Sequence, residues 1–342
     1  MKIGKRIISP DFPPLIIAEI GINHGGDLNV AKSMAKAAAL SGCECVKHQT
    51  HFIEDEMTPA ARSIYPPNAD ISIWEVMENC ALNPDEELEF KKYCEDLGLI
   101  WISTPFSRRA VDFLDSIDVP GFKIGSGECD NLPLIRHIVS KGRPVIMSTG
   151  MQNISSLERS VATIMESGIE FALLECTNLY PSPPEIVSLG GIAELQQAFP
   201  KAQVGFSDHS IGPTMALGAA ALGATIIERH FTDTRYRQGP DISNSMDPAE
   251  LRFLIDRTKE IHTALRNPKR RTQPEEDVYL FARASVVADA DLVAGTVISE
   301  GDIWARRPGN GDIPGYDFDR VVGRTLKVAV KRNEFLSWDM FE

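Results

Sequence analysis

Gly-Phe-Ser-Asp-His (205–209) and Ile-Ile-Glu-Arg-His-Phe (226–231) are two short, largely apolar runs that each reach a histidine at or near their end. Runs that are apolar almost throughout are typical of parallel β-strands buried on both faces. Eight such runs alternate with segments of helical periodicity, and they occupy residues 15–22, 45–49, 99–104, 121–126, 144–148, 171–177, 203–207 and 225–231. Eight strand–helix units within about 250 residues predict an α/β fold, the (β/α)8 TIM barrel.

The sequence pattern changes after the last of these units. Residues 266–276 are polar and interrupted by proline, so we assign the barrel to residues 1–265 and a linker to residues 266–282. Residues 283–342 alternate short β-rich runs with glycine and aspartate turns, which predicts a small β-rich domain.

A long insertion, residues 51–82, follows the second strand, and insertions of this length usually serve as lids or binding loops.

Composition restricts the class of protein. The chain has 342 residues, of which 43% are hydrophobic and 24% charged, so it is long enough to bury more than one core. Its formal net charge of −13 argues against nucleic acid or an anionic membrane as a partner. The six cysteines lack the spacing of a zinc or disulfide framework, and no apolar run has the length of a signal peptide or membrane span. We therefore expect reduced thiols in a soluble, cytoplasmic protein.

Polar side chains are concentrated where the predicted strands end. In a (β/α)8 barrel these ends converge on one mouth, where the chemistry of such proteins takes place. One polar residue at a strand end is as often a local hydrogen-bond partner as a functional group, but eight successive polar ends favour a site. They are Glu19 and Asn23; Lys47 and Gln49; Ser103 and Thr104; Lys123, Ser126 and Glu128; Ser148; Thr177, Asn178 and Tyr180; Ser207, Asp208 and His209; and Glu228 and His230.

Two lysines, Lys47 and Lys123, lie within apolar strands. A buried ammonium group without an anion costs several kcal/mol, so each lysine needs a partner. One explanation is that Glu19 and Glu128 neutralise them. The alternative is that strand-end hydroxyl groups join the lysines around a bound phosphate or carboxylate, as charge-assisted donors do. These hydroxyl groups are those of Thr104, Ser126, Ser148 and Ser207.

His209 and His230 end neighbouring strands, so we expect their imidazoles to lie about one strand spacing apart. Taken alone, each histidine is as consistent with a core residue that is hydrogen-bonded to the backbone as with a metal ligand. The pair favours a metal site, because neutral imidazole is the commonest transition-metal ligand. No cysteine follows either histidine as a further ligand. An open, oxygen-rich site for a divalent ion such as Mn2+ is therefore favoured over a closed zinc site.

Nine short motifs occur in a fixed order along the chain. They are Glu-Ile-Gly-Ile-Asn-His (19–24), Lys-His-Gln-Thr-His (47–51), Ser-Thr-Pro-Phe-Ser (103–107), Phe-Lys-Ile-Gly-Ser-Gly-Glu (122–128), Ser-Thr-Gly-Met (148–151), Thr-Asn-Leu-Tyr-Pro (177–181), Ser-Asp-His (207–209), Glu-Arg-His-Phe-Thr (228–232) and Gly-Pro-Asp (239–241). Together they resemble the motifs of the bacterial sialic acid synthase family. Residues from about 283 onward resemble the antifreeze-like SAF domain that follows the barrel in that family.

This resemblance implies condensation of phosphoenolpyruvate with open-chain N-acetylmannosamine, giving N-acetylneuraminic acid and phosphate. It implies that His209 and His230 bind Mn2+, or another divalent cation such as Mg2+ or Co2+. Glu19 and Glu128, with low pKa values maintained by the lysines, would lie beside the reacting carbons, and with His230 they are the catalytic candidates. Tyr180 and Asp241 would contact the sugar, and phosphoenolpyruvate would be held by Lys47, Thr104, Lys123, Ser126, Ser148, Asn178 and Ser207. Gln49 is a further substrate-binding candidate.

The resemblance also implies a partner subunit. In the family the SAF domain reaches across a homodimer and covers the partner's site with an arginine. Arg307, within Arg-Arg-Pro-Gly-Asn-Gly, is the matching residue. We therefore expect a domain-swapped homodimer.

Some features leave the sugar and the class of protein open. Arg283 stands where sialic acid synthases often have phenylalanine, and residues 241–246 also depart from the usual motif; Arg283 is more typical of legionaminic or pseudaminic acid synthases. The motifs at residues 47–51 and 124–128 favour the N-acetylneuraminate branch. Two other classes remain as alternatives: a Schiff-base pyruvate aldolase using a barrel lysine, and a non-catalytic sugar- or ice-binding protein.

Overall fold

The computed structural model describes residues 1–66 and 70–342. The chain forms two compact units, Met1–Asn267 and Pro268–Glu342. Within the described residues no helix combines the length and apolar character needed to cross a membrane.

The first unit is built around a closed barrel of eight parallel strands. A small antiparallel hairpin of β1 (Lys2–Ile3) and β2 (Arg6–Ile7) precedes it. The predicted TIM barrel is confirmed, and the strand ends differ from the expected ones by at most two residues. In order around the barrel the strands are β3 (Leu15–Gly21), β4 (Cys45–Thr50), β5 (Ile100–Pro105), β6 (Phe122–Ile124), β7 (Val145–Ser148), β8 (Phe171–Cys176), β9 (Gln203–Asp208) and β10 (Ile226–His230), which pairs with β3.

Helices follow the barrel strands along the chain. Several begin at side-chain caps: Asp27 accepts hydrogen bonds from the first backbone N–H groups of α1, and Asp247 forms a capping box with Glu250 in α10. The helices are α1 (Leu28–Leu40), α2 (Ile53–Glu56), α3 (Ile73–Cys80), α4 (Pro84–Asp96), α5 (Arg108–Ser116), α6 (Leu132–Val139), α7 (Ile154–Glu166), α8 (Gly191–Ala198), α9 (Thr214–Ala221) and α10 (Pro248–Leu265).

The inside of the barrel changes from apolar to polar along the strands. Leu15 and Ile17 of β3 and Cys45 of β4 belong to a buried apolar cluster. Two residues further on, and on the same face because side chains alternate along a strand, lie the buried Glu19 and Lys47, which are paired in register. The apolar core thus fills the amino-terminal part of these two strands and leaves their carboxyl ends for polar groups.

The insertion after β4 is largely ordered into helices. It contains α2, a 3-10 turn at Pro59–Ser63 and α3. Ser72 and Glu75 form a capping box that fixes the start of α3. The part of the expected binding loop at residues 67–69 lies outside the described residues.

The second unit has its own core. α11 (Glu276–Ala282) leads into an antiparallel pair, β11 (Ser285–Ala288) and β12 (Ile303–Arg306). Val286, Ile303 and further apolar residues pack in a separate buried cluster. The linker expected at residues 266–282 therefore includes a helix, and the division of the chain falls after Asn267.

All six cysteines are free and buried.

Candidate active site

Two adjoining cavities lie at the carboxyl ends of the barrel strands, and they share Gln49 and Tyr180. The first has a volume of about 220 Å³ and is lined by Glu19, Lys47, Gln49, Thr104, Phe106, Lys123, Gly125, Ser126, Gly127, Ser148, Cys176, Asn178, Tyr180, Ser207, His209 and Glu228. The second has a volume of about 200 Å³ and is lined by Ile22, Gln49, Pro66, Ile73, Val76, Met77, Tyr180, His230, Pro240 and Asp241. Most of the residues expected at the site therefore surround one continuous region.

Lys47 is held between neighbouring strands. Its Nζ lies 2.8 Å from Glu19 Oε1 and donates to Thr104 Oγ1 at 3.0 Å. Gln49 Nε2 donates to the same Glu19 oxygen at 2.9 Å. The register explains this group, because Glu19 pairs with Lys47 and Gln49 pairs with Thr104 across consecutive strands.

Lys123 lies on the other side of the first cavity. Its Nζ donates to Ser148 Oγ at 2.7 Å and to the carbonyl oxygen of Ile124 at 3.1 Å. Glu228 Oε1 lies 3.6 Å from this ammonium group and accepts a hydrogen bond from Ser207 Oγ at 3.2 Å. Ser207 and Glu228 are themselves paired in register between β9 and β10.

Burial and charge act in opposite directions on these groups. Burial lowers the pKa of Lys47, but Glu19 and Glu228 outweigh it, and the net pKa is raised. For Lys123 burial prevails over the attraction of Glu228, so its pKa is lowered. Burial raises the pKa of Glu228, yet the Lys123 and Lys47 ammonium groups outweigh it and lower the net value. The site therefore holds a carboxylate that remains charged and a lysine, Lys123, that loses its proton more easily than usual.

Hydroxyl and amide groups complete the wall between β6 and β8. Ser126 Oγ accepts a hydrogen bond from the backbone N–H of Gly150 at 3.1 Å. A Cβ atom at Gly150 would lie 2.3 Å from Asn178 Oδ1 and 2.9 Å from Ser126 Oγ, so only glycine allows these two polar side chains to approach the turn. The arrangement presents polar atoms of three strand ends to the cavity that contains both lysines.

The two histidines are adjacent. The ring centroids of His209 and His230 are 5.4 Å apart, and the Tyr180 ring lies 4.0 Å from that of His209. His209 Nδ1 lies 2.9 Å from the carbonyl oxygen of Thr177, which only accepts, so Nδ1 carries the hydrogen and Nε2 keeps its lone pair. Burial lowers the pKa of His209 to about 3, which keeps the ring neutral.

The neutral His209 ring, with its free Nε2, and the neighbouring His230 ring fit an open divalent-metal site. His230 Nδ1 is buried without a hydrogen-bond partner and lies 3.7 Å from Asp241 Oδ2. Across residues 1–66 and 70–342, no three His, Cys, Asp or Glu side chains are grouped as a metal-binding cluster. The donor set therefore fits an ion that takes its remaining ligands from water or a substrate.

Of the other expected site residues, one lies outside both cavities and one belongs to the second unit. Glu128 follows β6 in a 3-10 turn, lines neither cavity and accepts a hydrogen bond from Asn131 at 2.6 Å. The expectation that the lysines lower its pKa is wrong, because burial raises that pKa. Arg307 is an exposed residue of the second unit, directly after β12.

Three further residues lie at or beside the site, and the sequence alone indicates no role for them. Glu228 takes the place expected for Glu128 beside the lysines, and its pairing with Ser207 was visible only once the strand register was known. Cys176 Sγ lies 3.0 Å from Asn178 Oδ1 in the first cavity. His51 stacks on Phe106 and has Nε2 3.3 Å from Gln49 Oε1.

Comparison with known proteins identifies the family. Residues 34–270 match the NeuB family and residues 283–342 match the SAF domain. The N,N'-diacetyllegionaminic acid synthase of Campylobacter jejuni is 34% identical over 330 residues, covering 94% of this chain and 98% of that protein. The human N-acetylneuraminate-9-phosphate synthase is 31% identical over 343 residues, covering 98% of this chain and 95% of that protein.

A solved structure agrees with the sequence comparisons. The N-acetylneuraminic acid synthetase of Leptospira borgpetersenii serovar Hardjo-bovis, in complex with citrate, aligns with a TM-score of 0.74 at 29% identity, covering 81% of this chain and 94% of that one. The family match and the full-length relatives agree with the motifs, the barrel and the second unit. This chain belongs to the NeuB family of sialic acid-type synthases and carries the SAF domain at residues 283–342.

Proposed function

We propose that this protein condenses phosphoenolpyruvate with N-acetylmannosamine and releases N-acetylneuraminic acid and phosphate. The observation that carries the proposal is that His209 lines the same cavity as Lys47 and Lys123, with His230 beside it. A pair of imidazoles next to two ammonium groups suits a divalent ion and a phosphorylated anion in neighbouring positions.

The first cavity is the proposed place of phosphoenolpyruvate. Lys47 and Lys123 supply the positive charge, and the hydroxyl groups of Thr104, Ser148 and Ser207 already bond to the charged groups there. Ser126 and Asn178 add polar atoms at the turn of Gly150. Such charge-assisted donors are the groups that bind phosphate and carboxylate oxygens strongly.

His209 and His230 are the proposed ligands of Mn2+ or another divalent cation. When bound, the cation supplies Lewis-acid activation of the sugar aldehyde. The hydrogen bond from His209 Nδ1 to Thr177 fixes the ring orientation, and Asp241 lies beside His230 on the side of the second cavity. Tyr180 and Gln49, which line both cavities, are placed to contact the sugar.

The reaction forms a carbon–carbon bond and a carbon–oxygen bond to the incoming water, and it breaks the carbon–oxygen bond to phosphate. C3 of phosphoenolpyruvate attacks C1 of the open-chain sugar, and the aldehyde oxygen takes up a proton. C2 of the former enol phosphate becomes electron-deficient, water adds there with loss of a proton, and phosphate leaves as the C2–O bond breaks. Glu19, with Oε2 buried and without a hydrogen-bond partner, is the proposed group that stabilises C2 or accepts the water's proton.

The strongest rival is an aldolase that forms a Schiff base. Lys123 has a lowered pKa, which is a property of such lysines, so this rival rests on a specific observation. Borohydride reduction in the presence of pyruvate, followed by mass spectrometry, separates the two. We expect no adduct on Lys123, and phosphate release that needs both phosphoenolpyruvate and N-acetylmannosamine, stops with chelator and returns with Mn2+. A pyruvate adduct together with chelator-resistant turnover would favour the aldolase.

A second candidate acceptor is a 2,4-diacetamido-6-deoxy relative of N-acetylmannosamine. Arg283 supports this acceptor, because an arginine at that position is more typical of legionaminic or pseudaminic acid synthases. The apolar residues that line the second cavity also support it. Product masses obtained with each sugar separate the two acceptors.

The proposal includes a homodimer in which Arg307 covers the partner's site.

A further inference from the structure

His51 lies directly after β4, at the start of the insertion. Side chains alternate along a strand, so His51 is placed on the same side as Lys47 and Gln49. Its side chain is buried and its ring stacks on that of Phe106, which lines the first cavity, with ring centroids 4.7 Å apart. His51 therefore lies at the edge of the proposed site, although the proposed reaction gives it no task.

Both ring nitrogens of His51 face an oxygen atom. Nδ1 lies 2.8 Å from Glu56 Oε2, and Nε2 lies 3.3 Å from Gln49 Oε1, which is long for a hydrogen bond. At its other end the Gln49 amide donates from Nε2 to Glu19 Oε1 at 2.9 Å, and that oxygen also lies 2.8 Å from Lys47 Nζ. His51 is thus connected to Glu19 through a single amide group.

The Gln49 amide has nearly the same shape in both of its orientations, so its neighbours decide which end faces which residue. In the reversed orientation its oxygen would take the position 2.9 Å from Glu19 Oε1, and two acceptors at that distance repel each other. In the orientation that serves Glu19, the amide oxygen faces His51 Nε2 and can only accept. The contact is therefore favourable when Nε2 of His51 carries a hydrogen.

The surroundings of the ring favour that hydrogen. The Glu56 carboxylate allows a second hydrogen to lie between Nδ1 and Oε2 in a charge-assisted hydrogen bond, so Nε2 keeps its own. The face of the Phe106 ring attracts positive charge on a ring stacked against it. Burial lowers the pKa of His24 and of His48 to about 3, so these neighbouring rings add no competing positive charge.

Glu56 is held by the packing of α2 and the residue before it against α5. Asp55 Oδ2 accepts a hydrogen bond from the backbone N–H of Arg109 at 2.9 Å, and the Arg109 guanidinium lies 4.3 Å from the centre of the Phe52 ring. Phe52 also meets Phe113 edge-on, with ring centroids 5.9 Å apart. The insertion thus presents the carboxylate to the imidazole from a fixed position.

We propose that His51 is a positioning residue for Glu19 and acts through Gln49: its Nε2 donates to Gln49 Oε1 and fixes the amide with its nitrogen toward Glu19. This inference rests on the proposed function, in which Glu19 acts at C2 of the former enol phosphate. Because Gln49 and Lys47 both occupy Oε1, Oε2 has no hydrogen-bond partner among the described residues and keeps a defined direction. Without His51 the amide can turn and present its oxygen to Glu19.

Steady-state phosphate release by His51→Phe tests this role, because phenylalanine keeps a stacked ring but has no donor. We expect kcat to fall about 10- to 100-fold, with KM for phosphoenolpyruvate changed by less than about threefold, since Glu19 is misdirected while the anion site is intact. In a Gln49→Met background the same change should lower kcat by less than about threefold, because the connecting amide is already absent. Unchanged kcat in His51→Phe, or the full loss in the Gln49→Met background, would overturn the inference.

His137→Phe is the matched control. His137 also has a ring nitrogen bonded to a carboxylate, that of Asp112 at 2.9 Å, but it is on α6, so its replacement should leave kcat unchanged. Thermal unfolding of each variant separates loss of orientation from loss of the fold.

A measurement without turnover tests the hydrogen on Nε2. NMR spectra that correlate ring nitrogens with ring protons, recorded near neutral pH on protein with isotope-labelled histidine, report which nitrogens are protonated, and His51→Phe assigns the signals. We expect His51 Nε2 to be protonated, and a hydrogen-free Nε2 would overturn the inference. If the unaltered protein releases no phosphate with any N-acetylated sugar, the proposed function fails, whereas the state of Nε2 still decides whether His51 donates to Gln49.

Discussion

Glu228 Oε1 lies 3.6 Å from Lys123 Nζ and 3.9 Å from Lys47 Nζ, so one buried carboxylate faces both ammonium groups of the first cavity. Together with Glu19, which pairs with Lys47, it balances the two positive charges. An anionic substrate therefore enters a cavity that is already neutral, and its binding is governed by how these four groups redistribute their contacts.

Replacing this carboxylate should unbalance the cavity. In Glu228→Gln the two lysines keep Glu19 as a carboxylate partner but lose the carboxylate that faces both of them, and loss of one member of a buried ion pair typically costs about 3 to 5 kcal/mol. We expect a lower melting temperature than that of the unaltered protein. Because a bound anion then supplies the missing charge, phosphoenolpyruvate should raise the melting temperature by more in the variant than in the unaltered protein.

Differential scanning calorimetry with and without phosphoenolpyruvate makes this measurement. Glu175→Gln is the matched control, because Glu175 is a partly buried glutamate of β8 whose pKa burial raises to about 7. It should show no larger response to phosphoenolpyruvate than the unaltered protein. An identical response in Glu228→Gln and the unaltered protein would argue against the charge balance described here.

The contrast between Glu128 and Glu228 indicates what the sequence reveals about the site. The position of both glutamates near a strand end was predictable, because the apolar runs that mark the strands are visible in the sequence. Which carboxylate meets the lysines depends on where each strand stops: β6 ends at Ile124, and Glu128 turns away toward Asn131, whereas Glu228 lies within β10. Register between neighbouring strands is a tertiary property, and no spacing within one strand specifies it.

The second cavity illustrates another limit of the sequence. Tyr180 and Asp241 were expected near the sugar from motifs alone. Ile73 and Met77 carry no such signal, since apolar residues one turn apart are the ordinary mark of a core-facing helix. Only the packing of α3 against Ile22 places Ile73 and Met77, together with Val76, at the cavity.

Removing either histidine should abolish metal binding while preserving the fold. His209→Ala and His230→Ala each take away one of the two imidazole ligands, so we expect kcat to fall by orders of magnitude. Manganese content after dialysis, measured by atomic absorption, should fall in parallel. His137→Ala is a suitable control, because His137 is on α6 and is bonded to Asp112 rather than to the site. Normal turnover by His230→Ala without added metal would refute the ligand role.

Arg307→Ala tests the contribution of the second unit. If the exposed arginine covers the sugar in a partner subunit, its removal should raise KM for the sugar more than KM for phosphoenolpyruvate. Steady-state kinetics with each substrate varied in turn gives both constants. Arg324→Ala removes another exposed arginine of the same unit and should alter neither constant. Equal increases in both constants for Arg307→Ala would argue against a sugar-covering role.

Glu87 provides a prediction about pH and stability away from the site. This buried carboxyl of α4 accepts a hydrogen bond from Thr50 at 2.7 Å, and its Oε1 lies 3.7 Å from His48 Nε2. Burial raises the pKa of Glu87 from 4.5 to about 8, so the folded protein keeps it protonated where the unfolded chain ionises it. The resulting stability is fully present below about pH 4.5 and is lost as the pH rises through about 8.

Glu87→Gln removes this titration and keeps a neutral group of similar size. Between pH 5 and pH 8 the free energy of unfolding of the unaltered protein should fall relative to that of the variant, by on the order of a few kcal/mol. Urea denaturation followed by tryptophan fluorescence at both pH values gives the difference. The pKa of His48 is lowered to about 3 by burial, but this histidine is present in both proteins, and most of its contribution cancels in the comparison. Glu89→Gln, at an exposed residue of the same helix, should follow the unaltered protein. Parallel pH profiles for Glu87→Gln and the unaltered protein would show that Glu87 ionises as readily in the folded state as in the unfolded chain.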